Sequence, residues 1–366
     1  MTHIAKNQEL LLALGNSENS IASGPYVLYG FQNATLQKKQ NLNILTENDG
    51  ERLMDSNVDL GNVEVMGEIS GIWSIRMTDT FLRTIVSAGA PAGSGKTNFD
   101  VNTGVPQAAT IELTKGAYRG RYTGLRGSSL SLTATAGPTP GFQLTTSLIG
   151  LVGAEVEKIK TIQGSNLIFE NEVAYKAGDV LQFYNAAGIL VHTQPVSVVT
   201  SPISIMVAGI PPAVEPGHYC LISDTTTTAN AQVIREKPLN LAKTSFGSWF
   251  QSLTDVRDCT ISFESDRRAI FTNMSLSAKS TYEAGVRVNG SIKLGVSSAT
   301  SLIATANAGG VLEEFSATLR DVLNNQFKIS WDIVLEKETP VELDGEILTN
   351  ISFRFVKINE VSTTIN

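Results

Sequence analysis

The stretch with the most chemical promise is Ala90-Pro91-Ala92-Gly93-Ser94-Gly95-Lys96-Thr97, which has the relaxed phosphate-loop spacing with Ala where the first Gly usually stands. Such a loop holds phosphate with successive backbone N–H groups and with the N-terminus of a helix that begins directly after it. Here the segment before the loop reads as a helix rather than a strand. The residues after it, Asn98 to Pro106, contain Gly104 and Pro106 and show no helical period. A Gly/Ser surface loop is the expectation.

The other candidates for chemistry are weaker. His3, His192 and His218 have no metal spacing among themselves, and His218-Tyr219-Cys220 supplies two ligands where zinc needs three or four. No Gly-x-Ser-x-Gly elbow presents a serine nucleophile. Glu313-Glu314 and the trio Glu342, Asp344 and Glu346 read as solvated turns, because acid–base pairs need burial to separate their pKa values. The expectation is a protein that is no enzyme and has no cofactor or metal. Tyr118-Arg119-Gly120-Arg121-Tyr122 with Arg126 is the one basic cluster interleaved with aromatics. Arg on phosphate and Tyr on bases would suit nucleic acid. Arg and Tyr also favour protein interfaces, so Tyr118, Arg119, Arg121, Tyr122 and Arg126 are expected on an exposed strand and turn at an inter-subunit contact. Trp73, Trp249 and Trp331 read as core or interface anchors.

Composition bounds what surrounds these residues. With 366 residues, 42% hydrophobic and 17% charged, the chain has room for two or three domains and is no disordered sequence. No window reaches the ~18 apolar residues that span a bilayer. Leu10–Leu14 is too short for a signal core and follows Glu9, so synthesis in a cytoplasm is expected. Cys220 and Cys259 read as buried reduced thiols. A net charge of −7 argues against nucleic acid as the main affinity, which depends on neutralising phosphates.

The elements that must position any site are mostly strands. Residues 1–30 read as a polar arm with one apolar run, followed by a strand around Leu36, Leu42 and Ile44. Thr46–Gly61 reads as a long polar loop carrying Glu47, Asn48, Asp49, Glu51, Asp55, Asn57 and Asp59, and loops of that length are usually functional. After the strand Val63–Ile75, Met77, Phe81, Leu82, Ile85 and Val86 share a helical face, with Thr78 or Asp79 as N-cap and Gly89 as stop. Residues 155–240 change to short β runs between Pro195, Pro202, Pro211, Pro212 and Pro216, an inserted all-β module. Beyond it, Asp266-Arg267-Arg268 reads as a turn between strands. Ala299, Leu302, Ile303 and Ala306 read as a short helical face, and Leu319, Val322 and Leu323 as a further helical turn. Asp344-Gly345 is a hairpin signal.

Two stretches share one pattern. Val63-Glu-Val65-Met-Gly67-Glu-Ile69 and Val286-Arg-Val288-Asn-Gly290-Ser-Ile292 are each followed by a helical segment and an Ala-Gly pair, Ala88-Gly89 and Ala308-Gly309. A β-rich unit recurs with no active-site pattern between the copies, which points to assembly. The expected organisation is 1–154 (arm and first unit), 155–240 (small β-rich, immunoglobulin-like module) and 241–366 (second unit).

On these residues the chain resembles the tail tube proteins of long-tailed bacteriophages. The resemblance runs from the arm Ser17–Ser23 through the strand at Leu36, the polar loop, Val63–Ile69, the helix Met77–Val86 and Ile111-Glu-Leu113-Thr114. It continues in Tyr122-x-Gly124-x-x-Gly127-Ser-Ser-Leu130-Ser-Leu132, in Val286–Ile292 and in Phe353-Arg-Phe355. The module at 155–240 departs from the simple family pattern. The resemblance implies a mainly β fold of two tube-type β-sandwich or half-barrel units, each with a short flanking helix, plus the inserted module. It implies rings of self-associated chains stacked into a hollow tube in the virion tail, through which DNA passes without specific binding. Terminator, tape-measure and distal tail proteins are the implied partners, with no membrane. By position, Glu47, Asn48, Asp49, Glu51, Asp55, Asn57 and Asp59 are candidate inter-ring contacts, and a duplicated unit would let three chains form a ring of six units, with six chains as the alternative. The competing expectations are another virion structural protein (a tail terminator or decoration protein), a β-sandwich adhesin, and a nucleotide-binding enzyme resting on Gly93–Thr97 alone.

Overall fold

Alternating apolar residues favour strands along most of the chain, because successive side chains then fall on opposite faces of a sheet. The computed structural model describes residues 8–15, 17–48, 53–90, 95–116, 118–135, 141–225, 232–233, 239, 245–248, 251–253, 256–272, 275–295, 312–343 and 346–366. Among them the fold is mainly β with one helix. The first part contains β1 (Gln8–Gly15), β2 (Val27–Tyr29), β3 (Asn33–Ala34), β4 (Gln37–Asn48), β5 (Leu53–Ile72), α1 (Ile75–Ile85), β6 (Ser87–Ala88), β7 (Lys96–Asp100), β8 (Ala108–Lys115), β9 (Tyr118–Thr135), β10 (Gly141–Gly150) and β11 (Val152–Ala154). The middle holds β12 (Val156–Gln163), β13 (Asn166–Phe169), β14 (Val180–Tyr184), β15 (Leu190–Ser201), β16 (Ser204–Val207) and β17 (Tyr219–Asp224). The last part holds β18 (Gln232–Val233), β19 (Ser245–Ser248), β20 (Gln251–Leu253), β21 (Val256–Thr272), β22 (Ser275–Gly295), β23 (Leu312–Arg320), β24 (Gln326–Leu343) and β25 (Glu346–Thr364).

Eight long strands lie side by side in the order β4-β5-β10-β9-β21-β22-β25-β24, every neighbouring pair antiparallel. The second four repeat the connectivity of the first four. β4–β5 and β21–β22 are hairpins, and each second strand then pairs with the last strand of its set. The registers match as well: Gly67 lies opposite Leu148, and Gly290 opposite Phe353. A β-bulge falls at the same step in each, between Ser147 and Leu148 on β10 and between Ser352 and Phe353 on β25. The match extends outward, with β8 on β9 and β23 on β24, β1 on β8 and β19 on β23, β2 on β1 and β20 on β19.

One face of this sheet builds the main core. Leu130, Leu132, Leu144, Leu148, Ile261, Phe263, Ile292, Ile351 and Phe353 are buried there together with the apolar face of α1. Gly127 lets α1 approach β9, since a Cβ at that position would lie 2.2 Å from Ile85 Cγ1. The N-cap of α1 is Ser74, whose Oγ accepts the Met77 N–H at 3.1 Å, and not Thr78 or Asp79. Thr78 takes the Trp73 indole N–H at 2.7 Å, and Asp79 pairs with Arg83 at 2.8 Å. The helix ends at Ile85 without a glycine cap, and the Gly89 N–H bonds to Asn98 O across β6 and β7.

Between β11 and β18, six strands pair only with one another and close a barrel in the order β12-β13-β16-β15-β14-β17. Ile159, Leu167, Phe169, Leu181, Phe183, Ile205 and Ile222 fill it as a separate core.

Three local expectations are corrected. The described residues of Thr46–Gly61, 46–48 and 53–61, are strand and not loop: β4 and β5 pair there, with Asn43 opposite Asp59, Leu45 opposite Asn57 and Glu47 opposite Met54. Backbone pairing satisfies N–H and C=O groups whatever the side chains are, so polar strands escape a hydropathy reading. Asp266-Arg267-Arg268 is no turn; β21 continues through it with a bulge between Ser265 and Arg267. Leu319 lies within strand β23, and Val322 and Leu323 are exposed in a tight turn held by Asp321, whose Oδ1 accepts the Leu323 and Asn325 N–H groups. The second helical segment, Ala299–Ala306, lies outside the described residues, as do Asp344 and Gly345. Leu343 pairs with Glu346 across that two-residue connection.

Candidate assembly surface

The repeated strand order leaves a different strand exposed at each end of the sheet. Inside the chain, residues 129–135 of β9 pair with residues 258–264 of β21. Transferring the registers, the counterpart of the β9 stretch is 337–343 on β24, and the counterpart of the β21 stretch is 33–39 on β3 and β4. Among the described residues, 337–343 pairs only with β25, and 33–39 only with β5. The β24 edge reads Lys337-Glu-Thr-Pro340-Val-Glu-Leu343, a guarded edge, since charge and proline discourage indiscriminate strand pairing. On the opposite edge, Lys115 Nζ donates to Ala34 O, the Tyr122 hydroxyl lies 3.0 Å from Leu36 O, and the Lys38 N–H donates to Glu155 at 2.7 Å.

The face of the sheet turned away from the core is dominated by small polar side chains. Cross-strand partners form one row of Ser70, Thr145, Ser131, Ser262, Asn289 and Arg354, and another of Gln143, Thr133, Thr260, Ser291 and Ser352. Ser262 and Ser131 hydroxyls lie 3.4 Å apart, and those of Thr133 and Thr260 3.5 Å apart, across the join of the two strand sets.

The basic cluster has turned inward. Arg121 and Tyr122 are fully buried, so the exposed setting expected for them is corrected. The reason is charge pairing. Glu112 lies directly opposite Arg121 in the β8–β9 hairpin, with Nε to Oε1 at 2.8 Å, while Nη2 donates to Asp179 Oδ1 at 2.8 Å and Nη1 to Ala174 O at 3.1 Å. Asp179 and Ala174 belong to the barrel module, and Thr225 at its exit donates to Glu112 at 3.0 Å. Burial by itself pushes the Arg121 guanidinium down, but the hydrogen bonds and charges of Asp179 and Glu112 outweigh it and the net shift is upward. The same burial, with Glu112 beside it, raises the Tyr26 phenol to about 12. Lys38 adds a second tether, 2.8 Å from Glu157. These contacts lock the module onto the first strand set.

Arg126 is also largely buried. It pairs with Glu18 of the arm, whose carboxylate accepts the Thr281 N–H at 3.0 Å and hydroxyl at 3.1 Å. Beside it Arg267 pairs with Glu283 and donates to Thr84 O of α1 at 3.3 Å. Burial lowers Arg267 to about 10 against the opposing charge of Glu283. Both arginines therefore knit the join between the two strand sets. Arg119 lies 3.3 Å from Asp224 and from Thr225 at the barrel exit. Tyr118 begins β9.

Of the acidic candidates, Glu47 and Asn48 lie on β4, and Asp55, Asn57 and Asp59 on β5. Asp49 and Glu51 lie outside the described residues. The phosphate-loop lysine is engaged elsewhere: Lys96 opens strand β7 and sits 2.6 Å from Glu360. Burial pushes the Glu360 carboxyl up, yet hydrogen bonds from Lys328, Lys96 and Ser362 outweigh it and hold it at about 2. His192 lies 3.1 Å from Gln194 and stacks on Phe183, while His218 Nδ1 accepts the Glu215 N–H at 3.3 Å. Glu313 and Glu314 lie in strand β23 and not in a turn. Among the described residues no group of three or more metal-binding side chains occurs, and no helix is long and apolar enough to cross a membrane. Trp73 and Trp331 are core residues, Trp331 within 4.4 Å of the Phe355 ring centroid; Trp249 lies outside the described residues. Comparison with protein-family models and with curated proteins gave no match.

Proposed function

We propose that this chain is a structural virion protein that forms stacked rings, the hollow tail tube through which a long-tailed bacteriophage ejects its DNA. The observation that carries the reading is the head-to-tail strand order. A sheet built as two equivalent sets, joined by β9 on β21, has two unlike ends that match each other. In this reading residues 337–343 of one chain pair with 33–39 of the next in the register of 129–135 with 258–264 inside the chain, and the Lys38 N–H exchanges Glu155 for the neighbouring strand. In this register Pro340 lies opposite Leu36, whose carbonyl already has the Tyr122 hydroxyl, so the missing proline N–H is tolerated. Head-to-tail contacts either close into rings or grow as filaments. With two sets per chain, three chains give a ring of six. The row of hydroxyls and amides then faces the passage, suited to a polyanion that must slide.

The partners in this reading are further copies of the chain and the terminator, tape-measure and distal tail proteins of a virion. Negative-stain electron microscopy of the purified protein over a range of concentration and salt tests it. Hollow rings or tubes are expected, with E338P/E342P blocking their formation while leaving the melting temperature of the monomer unchanged. Compact monomers at every condition, or a variant that assembles as well as the parent, would count against the edge pairing.

A further inference from the structure

The edge strand at 33–39 is not bare. Inside the sheet the Thr35 N–H donates to Glu68 O at 2.8 Å, so by the alternation of an antiparallel strand Ala34, Leu36 and Lys38 turn their backbone groups outward. Three side chains meet them there. Lys115 donates to Ala34 O, the Tyr122 hydroxyl lies 3.0 Å from Leu36 O, and Glu155 accepts the Lys38 N–H at 2.7 Å. In the second strand set the matching residues are Cys259, Ile261 and Phe263, and those are paired with β9 instead. Side chains thus stand in the first set where a strand stands in the second.

The cap on Lys38 belongs to the base of the barrel. Glu155 lies between β11 and β12. The Lys38 side chain is held from the same side, with Nζ 2.8 Å from both carboxylate oxygens of Glu157 on β12 and 3.5 Å from Glu172 O. The Glu155 N–H donates to Glu157 at 3.3 Å, so two linked carboxylates close around one residue of the edge. Gly153 lets β11 run close beside it, since a Cβ there would already lie 3.5 Å from Lys38 Cβ. The contacts of Arg121 with Asp179 and Ala174 keep this base in place.

The register of the internal join sets Lys38 opposite Glu338 of an incoming strand, and Leu36 opposite Pro340, which has no N–H to give. The Tyr122 hydroxyl has one proton for two acceptors, Leu36 O and Glu155 Oε1 at 2.8 Å. The carboxylate is the stronger acceptor of the two. Once Glu155 lets go, the Lys38 N–H is open to Glu338 O. The hydroxyl proton then turns to Leu36 O, the one carbonyl that the incoming strand cannot serve.

We infer that the barrel module restrains ring closure, with Glu155 as a latch that withholds the Lys38 N–H from a second copy of this chain. That the occupant is a second copy rests on the tube reading. Each join must give up one charge-assisted hydrogen bond before it gains the new pairing, which holds dilute chains apart.

The test is thermophoresis of the dye-labelled full chain, kept too dilute for chains to join, titrated with a synthetic peptide of residues 335–343. E155A should bind the peptide about tenfold more tightly than the parent, the factor of one charge-assisted hydrogen bond no longer surrendered. E155Q keeps the side-chain volume and a neutral acceptor, and should fall between the two. E170A removes the same charge from the same module without touching Lys38, and should bind as the parent does. The critical concentration for rings in negative stain should fall in the same order. Equal affinity of parent and E155A, E170A matching E155A, or no binding by any chain would overturn the latch. Rings whose critical concentration ignores Glu155 would sink the latch and leave the tube. Peptide capture released by E155A, with no rings in any variant, would keep the latch and sink the tube.

Discussion

Removing the Arg121 guanidinium is the sharpest perturbation of the interior. The side chain is fully buried, and it meets Glu112, both oxygens of Asp179 and the Ala174 carbonyl. In Arg121→Ala, two carboxylates with no exposure lose their shared cation. Breaking a buried pair in this way costs about 3–5 kcal/mol. Asp179→Asn is the gentler contrast, because Arg121 keeps Glu112 and the amide still accepts a hydrogen bond. Its expected loss is about 1–3 kcal/mol. Urea unfolding measures both variants. Trp73 and Trp331 report on the sheet cores, while Tyr175 lies in the barrel core, so two probes separate the bodies that Arg121 ties together. We expect coincident transitions in the parent, and in Arg121→Ala a barrel transition that departs from that of the sheet. An Arg121→Ala chain within about 1 kcal/mol of the parent, with both probes still coincident, would refute the tether and its magnitude.

Other outcomes follow from single sites. Gly67→Ala would set a Cβ 2.6 Å from the Leu36 backbone, which has no rotamer to escape into; a loss of about 1–3 kcal/mol is expected in urea, more than for Gly290→Ala, whose Cβ meets the Phe353 ring at 2.5 Å. Glu360 is held at about 2 against an ordinary 4.5. Its folded pKa is depressed, so its contribution is full above about pH 4.5 and disappears as pH falls through 2; melting temperature against pH in that window should be flatter for Glu360→Gln than for the parent. Burial pushes both the Cys220 and Cys259 thiols to about 12. A thiol reagent at pH 8 should therefore label neither in the folded chain and both in denaturant.

How much of this was legible depends on which face a residue served. Strands with one buried face announced themselves, as in Val63–Ile69, Leu130–Ala134 and Val286–Ile292, and the helical face of Met77–Ile85 was clear. The N-cap was missed by four or five positions because Ser74, Thr78 and Asp79 are all competent caps, and only the side-chain contacts with Trp73 and Arg83 assign the last two elsewhere. Only the distal parts of β4 and β5, residues 46–48 and 53–61, were missed, because they are polar and leave pairing as the only signal. The burial of Arg121 had a local signal that went unread: a hairpin turning near Gly116 puts Glu112 opposite Arg121. Its second partner, Asp179, follows only from how the barrel docks. The repeat was visible as seven letters, yet the sequence did not reveal that β9 pairs with β21, since that contact joins strands far apart in the chain.

That one pairing changes the kinetics of association. In the proposed ring, every second join between strand sets is already made within a chain, at an effective concentration that free subunits would reach only in the millimolar range. Closing a six-set ring then takes a third-order encounter in chains where unlinked sets would need a sixth-order one. Onset of assembly should accordingly rise much less steeply with dilute protein, which lets a long structure be completed while the pool of free chains is running out.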